Sequence, residues 1–166
     1  MNNPQPGAGN GQAAARQFGL IRLYVKDVSF EAPNTPEVFE VQVTSPDIKL
    51  NLRTSQRPLG DDHYEVVLHV SSHATTGDKS VFLVEVEQAG VFQVSGYNPD
   101  ETRAILGVAC PNSLLPYARE VISSLTQRGG FPPLYLQPID FATLYAQQLQ
   151  QQQAQGGQPM PPAGNA

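Results

Sequence analysis

Three histidines, one cysteine and a few carboxylates are the side chains of this sequence best suited to chemistry, and their spacing decides what kind. His63, His69 and His73 occupy odd positions of one alternating stretch, so a strand there puts all three on one face. At about 3.4 Å per residue, His63 and His69 stand roughly 20 Å apart and His69 and His73 roughly 13 Å, too far to share one metal ion. They read as solvated or interface histidines. Cys110 precedes Pro111 at an expected helix start, where the helix dipole would favour a thiolate. No histidine is placed by local sequence to serve as its base, and a cysteine among apolar neighbours also suits packing, so a small Cys-dependent enzyme is kept as the alternative reading. The chain carries no Walker loop, Rossmann glycine fingerprint, GxSxG elbow or HExxH pair, and its residues ask for no cofactor and no metal.

Two other groupings suit binding rather than bond-making. Asp27 and Glu31 lie on one expected strand; Leu83, Glu85 and Glu87 share a face of another. If those strands are neighbours, the carboxylates form one patch, either a docking surface for a cationic partner or an ordinary solvated sheet face. Ile48, Leu50 and Leu52 form an apolar stripe on a proline-bounded segment, and Phe141, Tyr145 and Leu149 form another near the C-terminus. The stripes either close into a groove for an extended peptide or pack on each other.

The elements that must position these groups follow from pattern. Phe18 to Glu31 is rich in β-branched and aromatic residues and stops at Ala32-Pro33-Asn34-Thr35-Pro36. Its apolar parity changes between Val25 and Val28, which predicts a bulge or sharp twist there. Phe39 to Leu59 carries two patches, Val41 with Val43 and then Ile48 to Leu52, split by Ser45-Pro46; proline and short patches suit an edge or a crossing loop. Asp62 to Thr75 alternates cleanly and turns at Gly77-Asp78 into Lys79 to Gln88, a hairpin; Val91 to Ser95 reads as a further short strand after Gly90. The period then becomes helical. Pro99 to Ala109 reads as a short helix broken at Cys110-Pro111, and Asn112 as the cap of a longer one, Ser113 to Arg128, with Leu114, Leu115, Ala118, Val121, Ile122 and Leu125 as its apolar stripe and Pro116 in its first turn. After Gly129-Gly130 and an extended Phe131 to Pro138, Asp140 is the expected N-cap of a last helix. Strands first and helices after predict an α+β domain with an antiparallel sheet.

Composition sets the outer bounds. The chain has 166 residues, 40% of them hydrophobic, enough for one core. Its 15 acidic residues outnumber 10 basic ones, giving a net charge of -5, which speaks against nucleic acid and for a basic partner. Residues 1–17 and 153–166, dominated by Gln, Gly, Pro and Ala, read as disordered tails around a domain at 18–152. The first tail has neither the cationic start nor the apolar run of a secretory signal, and no stretch suits membrane insertion; with its lone cysteine the chain is expected in the cytosol.

Against this background the runs LYVKDVSFEAPNTPEVF (Leu23 to Phe39), DDHYEVVLHV (Asp61 to Val70), FLVEVEQAGVF (Phe82 to Phe92) and CPNSLLPYAREVISSLTQRGGFPPLYLQPIDF (Cys110 to Phe141) together resemble the SecB family of bacterial protein-export chaperones. The resemblance spans about residues 18 to 152. It implies a four-stranded antiparallel sheet followed by helices, assembling as a dimer of dimers, and a non-enzymatic role in the cytoplasm: holding unfolded precursor proteins and delivering them to the SecA ATPase. Carried over by position, it implies SecA docking at Asp27, Glu31, Leu83 and Glu85, subunit contacts at Val84, Val86 and Gln88, and a client groove formed by Ile48, Leu50, Leu52, Phe141, Tyr145 and Leu149. Leu115 stands where many relatives have Phe, and Val84 where some have Cys.

Overall fold

The structure, a computed structural model, describes residues 15–40 and 45–156; the expected patch at Val41 and Val43 and the tails over 1–14 and 157–166 lie outside the described residues. Alternating side chains give four strands, β1 (Gln17–Glu31), β2 (Asp47–Gly60), β3 (His63–Thr76) and β4 (Lys79–Ser95). They form one antiparallel sheet in the order β1-β4-β3-β2. β2 therefore lies at an edge, as its Pro58 demands, and this edge strand carries Lys49, Arg53 and Arg57. The register of β1 on β4 slips between Val25 and Asp27, the bulge expected from the parity change, and slips again between Leu20 and Arg22. A four-residue helix, α1 (Glu37–Glu40), occupies the start of the segment expected from Phe39 as an edge or crossing loop. Its Val38 is buried, and Phe39 packs on Phe131 at 5.1 Å between ring centroids.

Two expectations are corrected. β4 is one strand, not two: it runs through Gly90, where a side chain would meet Leu20 Cδ1 at 2.9 Å and Leu114 Cδ2 at 3.0 Å. The glycine marks a close approach between sheet and helix. Nor do Cys110 and Pro111 end a helix. α2 (Pro99–Ala104), a π-turn (Ile105–Ala109) and α3 (Cys110–Arg128) run on continuously. Proline has no N–H and its ring crowds the carbonyl one turn back. The π-turn takes up that misfit by slipping one residue, so that the Cys110 N–H donates to the Ile105 carbonyl. Asn112 thus lies inside the helix, and Pro116 lies deeper than a first turn. The cap of the run is Asn98, whose side chain accepts from the Glu101 N–H at 2.9 Å while the Glu101 carboxylate accepts from the Asn98 N–H at 3.1 Å.

The predicted stripe of α3 is the core. Leu114, Leu115, Ala118 and Ile122 are buried on Val66, Leu68, Val70, Val84, Val86 and Phe92 of the sheet, with Val121 and Leu125 packed beside them. Buried Thr126 accepts the Leu134 N–H at 3.0 Å, fastening the extended segment to α3. α4 (Phe141–Gly156) then returns across the π-turn and continues past residue 152. Asp140 caps it as expected: one carboxylate oxygen accepts the Thr143 N–H at 3.1 Å and the other its hydroxyl at 2.8 Å, which holds the Asp140 pKa below the usual carboxylate value.

Candidate functional site

Helices cover one face of the sheet, and residues of one parity on the other face form a charged surface. On it Asp27 stands opposite Glu87, Ser29 opposite Glu85, and Glu31 opposite Leu83. The next strand adds His69 beside Glu87, Ser71 beside Glu85 and His73 beside Leu83. With strands about 4.8 Å apart, the four carboxylates and Leu83 fall within one small patch. The condition set by the sequence, that the two strands be neighbours, is met. His69 joins this surface across three strands: a carboxylate accepts, so Nδ1–H donates to Glu87 Oε1 at 2.8 Å, while Nε2 hydrogen-bonds the Ser55 hydroxyl at 2.9 Å. A shallow cavity of about 570 Å³ here is lined by Asp27, Asn51, Arg53, His69, Glu85 and Glu87, among others.

Glu65 was missed. Sequence parity placed it on the polar face of β3 and nothing more, yet it is only 6% exposed. Its carboxylate accepts from the Tyr24 hydroxyl, from Lys26 Nζ at 3.1 Å, and from Arg57 at 3.2 and 3.0 Å. The Tyr24 hydrogen bond, helped by both cations against the cost of burial, pulls the Glu65 pKa down to about 2; burial and Glu65 together push Tyr24 up to about 12. The available signal was a strand pattern with Arg57 and Glu65 directly opposed across β2 and β3.

On the helix side a groove of about 290 Å³ runs between β2 and α4. Leu52, Phe141, Leu144 and Tyr145 line it, with Gly107 of the π-turn as its floor. An adjoining hollow brings in Leu149 and Leu106. Gly107 leaves room for the Tyr145 ring: a Cβ there would lie 2.5 Å from Tyr145 Cδ2 and 2.7 Å from Cε2. The structure thus gathers Leu52, Phe141, Tyr145 and Leu149. Ile48 and Leu50 share the helix-side parity of β2 but lie outside this lining, 41% and 42% exposed. Phe141 is itself buried, a wall fixed in the core.

The positions where the resemblance implies subunit contacts lie inside the chain. Val84, Val86 and Gln88 are 0%, 1% and 2% exposed within a single chain, because their parity points beneath α3. Gln88 donates from Nε2 to the Tyr24 carbonyl at 2.9 Å. Cys110 is likewise buried, inside a continuous helix rather than at a start, and desolvation pushes its thiol up to about 12, the reverse of what a nucleophile needs. His69 and His73 hydrogen-bond on the sheet's open face, to Ser55 and Glu87 and to Ser80, and none of these bonds reaches Cys110. Among the described residues no group of three or more His, Cys, Asp or Glu is arranged to hold a metal ion, and no helix is long and apolar enough to cross a membrane.

These features define an α+β binding protein, with an apolar groove on the helix side of the sheet and carboxylates on the other. The family described as preprotein translocase subunit SecB matches residues 11–152. Protein-export protein SecB of Stenotrophomonas maltophilia (strain K279a) is 47% identical over 158 residues, 93% of this chain and 91% of that protein. The protein of the same name from Pseudomonas syringae pv. tomato is 46% identical over 160 residues, 96% of this chain and 97% of that one. A solved SecB-like chaperone from Mycobacterium tuberculosis, in complex with an antitoxin peptide, shares the fold with a TM-score of 0.62 at 17% identity, covering 74% of this chain and 90% of that one. The chain belongs to the SecB family, the chaperones of protein export.

Proposed function

We propose that this protein binds unfolded precursor segments through the groove between β2 and α4 and hands them to SecA, which docks on Asp27, Glu31, Leu83 and Glu85. The observation that carries this reading is the separation of the two surfaces onto opposite faces of one sheet. A chaperone so built can hold a client and engage the motor at once, with no competition for side chains. No bond is made or broken; extended clients are held by many weak apolar contacts, and their sum over several grooves raises affinity without demanding a sequence. Several grooves require assembly, which we place at the dimer of dimers the family resemblance implies, in the bacterial cytoplasm. The outer strand β1 supports pairing, since Ile21, Val25 and Val28 are 56%, 44% and 44% exposed in a single chain beside an unpaired strand edge.

Charge reversal tests the docking half. Glu85→Lys is expected to weaken SecA binding at least tenfold in a titration at low salt while suppression of client aggregation stays within twofold of wild type. Equal binding of SecA by the two proteins would remove the docking assignment.

A further inference from the structure

The docking carboxylates of β1 face outward only because of the bulge beside them. Before it, Tyr24 pairs with Ala89 and Val25 with Gln88; after it, Asp27 pairs with Glu87 and Val28 with Val86, leaving Lys26 as the extra residue. Were the ladder regular, with Lys26 taking the place opposite Glu87, the alternation would carry Asp27 and Glu31 onto the helix side, opposite Val86 and Phe82. A bulge costs ladder bonds, and this one is tied down from both faces. On the helix side, buried Gln88 donates from Nε2 to the Tyr24 carbonyl at 2.9 Å. On the open side, Glu65 takes the Tyr24 hydroxyl and, at 3.1 Å, the ammonium of Lys26 itself. Arg57 holds the same carboxylate from β2 at 3.0 Å, so the anchor spans the sheet from one edge strand to the other.

We propose that Glu65, with Gln88 behind it, is a positioning residue for the docking face: it fixes the Lys26 bulge and thereby aims Asp27 and Glu31 outward. The proposal rests on the docking reading above and deepens it. Glu65 need not touch the partner. Its geometry acts through Tyr24 and Lys26 on the next two turns of alternation.

The test uses the full chain carrying Glu65→Gln, which keeps the shape and removes the charge that both cations seek. Amide exchange in the absence of SecA is expected to quicken about tenfold over Lys26 to Glu31, with α3 unchanged, and SecA affinity is expected to drop about fivefold with client holding unaltered. Lys26→Met, a milder variant that keeps the strand's length, should show the same selective exchange at smaller size. Unchanged exchange over Lys26 to Glu31 in both variants overturns the proposal whatever SecA does. Quickened exchange with undiminished SecA binding, where Glu85→Lys does lose binding, overturns the aiming role. If Glu85→Lys also binds normally, the docking reading is what fails, and the positioning role falls with it.

Discussion

Replacing Gly107 by alanine should spoil the groove without unfolding the chain. The new Cβ would sit 2.5 Å from Tyr145 Cδ2 and 3.3 Å from Cγ, where ordinary contact begins near 3.4 Å. The ring must therefore withdraw by about 1 Å, and α4 with it, which on a steep dispersion curve forfeits a quarter to a half of each contact it makes. Overpacking of this kind costs about 1–3 kcal/mol, but alanine recovers about 1 kcal/mol over glycine in a helical run, so global stability should fall by no more than about 2 kcal/mol. Client affinity per groove should drop by about 1 kcal/mol, roughly fivefold, the scale of one displaced CH₂ of apolar contact. Calorimetric titration with a reduced, unfolded protein reads the second number, chemical denaturation the first, and SecA binding serves as the unaffected control. In a Tyr145→Ala background the same change should be neutral toward clients. A fivefold loss that persists without the tyrosine ring, or no loss with it, refutes the steric account.

Two further outcomes follow from the titrating groups. Glu65 is held at about 2, below its ordinary 4.5, so its stabilisation is complete above pH 4.5 and is lost as pH falls toward 2. That displacement is roughly 3 kcal/mol unscreened, and with the Lys26 and Arg57 side chains 43% and 66% exposed we expect about 1–2 kcal/mol to disappear over that interval in wild type and not in Glu65→Gln, by denaturation at each pH. Cys110, its thiol pushed up to about 12, should resist alkylation at pH 8 until the chain unfolds, and Cys110→Ala should hold clients as wild type does; rapid labelling of the native protein would contradict the burial described.

Much of this was legible in the residues. Period-two alternation carried the faces of β3 and β4, and the parity change at Val25 to Val28 located the bulge because one extra residue leaves a trace in any alternating pattern. The acidic patch followed once Asp27, Glu31, Glu85 and Glu87 were assigned faces. What failed was local reading of glycine and proline. Gly90, Cys110-Pro111 and Asn112 look like punctuation, yet Gly90 makes room for Leu114 and the π-turn absorbs Pro111, both tertiary facts that a sequence window does not contain. Glu65 escaped for a related reason: its three partners lie 8 to 41 residues away and meet only when the sheet forms. The burial of Val84, Val86 and Gln88 is tertiary in the same way: alternation puts them on one face of β4 without saying which face the helices cover.

The makeup of the outer edge at β2 bears on how a guest polypeptide can be gripped. Lys49, Arg53 and Arg57 punctuate that margin and Pro58 removes a donor near its end, features that discourage another strand from zipping alongside. On the reading proposed above, a stretched guest lying near this edge would be denied main-chain pairing and retained by its side chains. Such a hold would leave the guest's amides to water and its backbone untemplated, the opposite of the strand-on-strand pairing that builds fibrils.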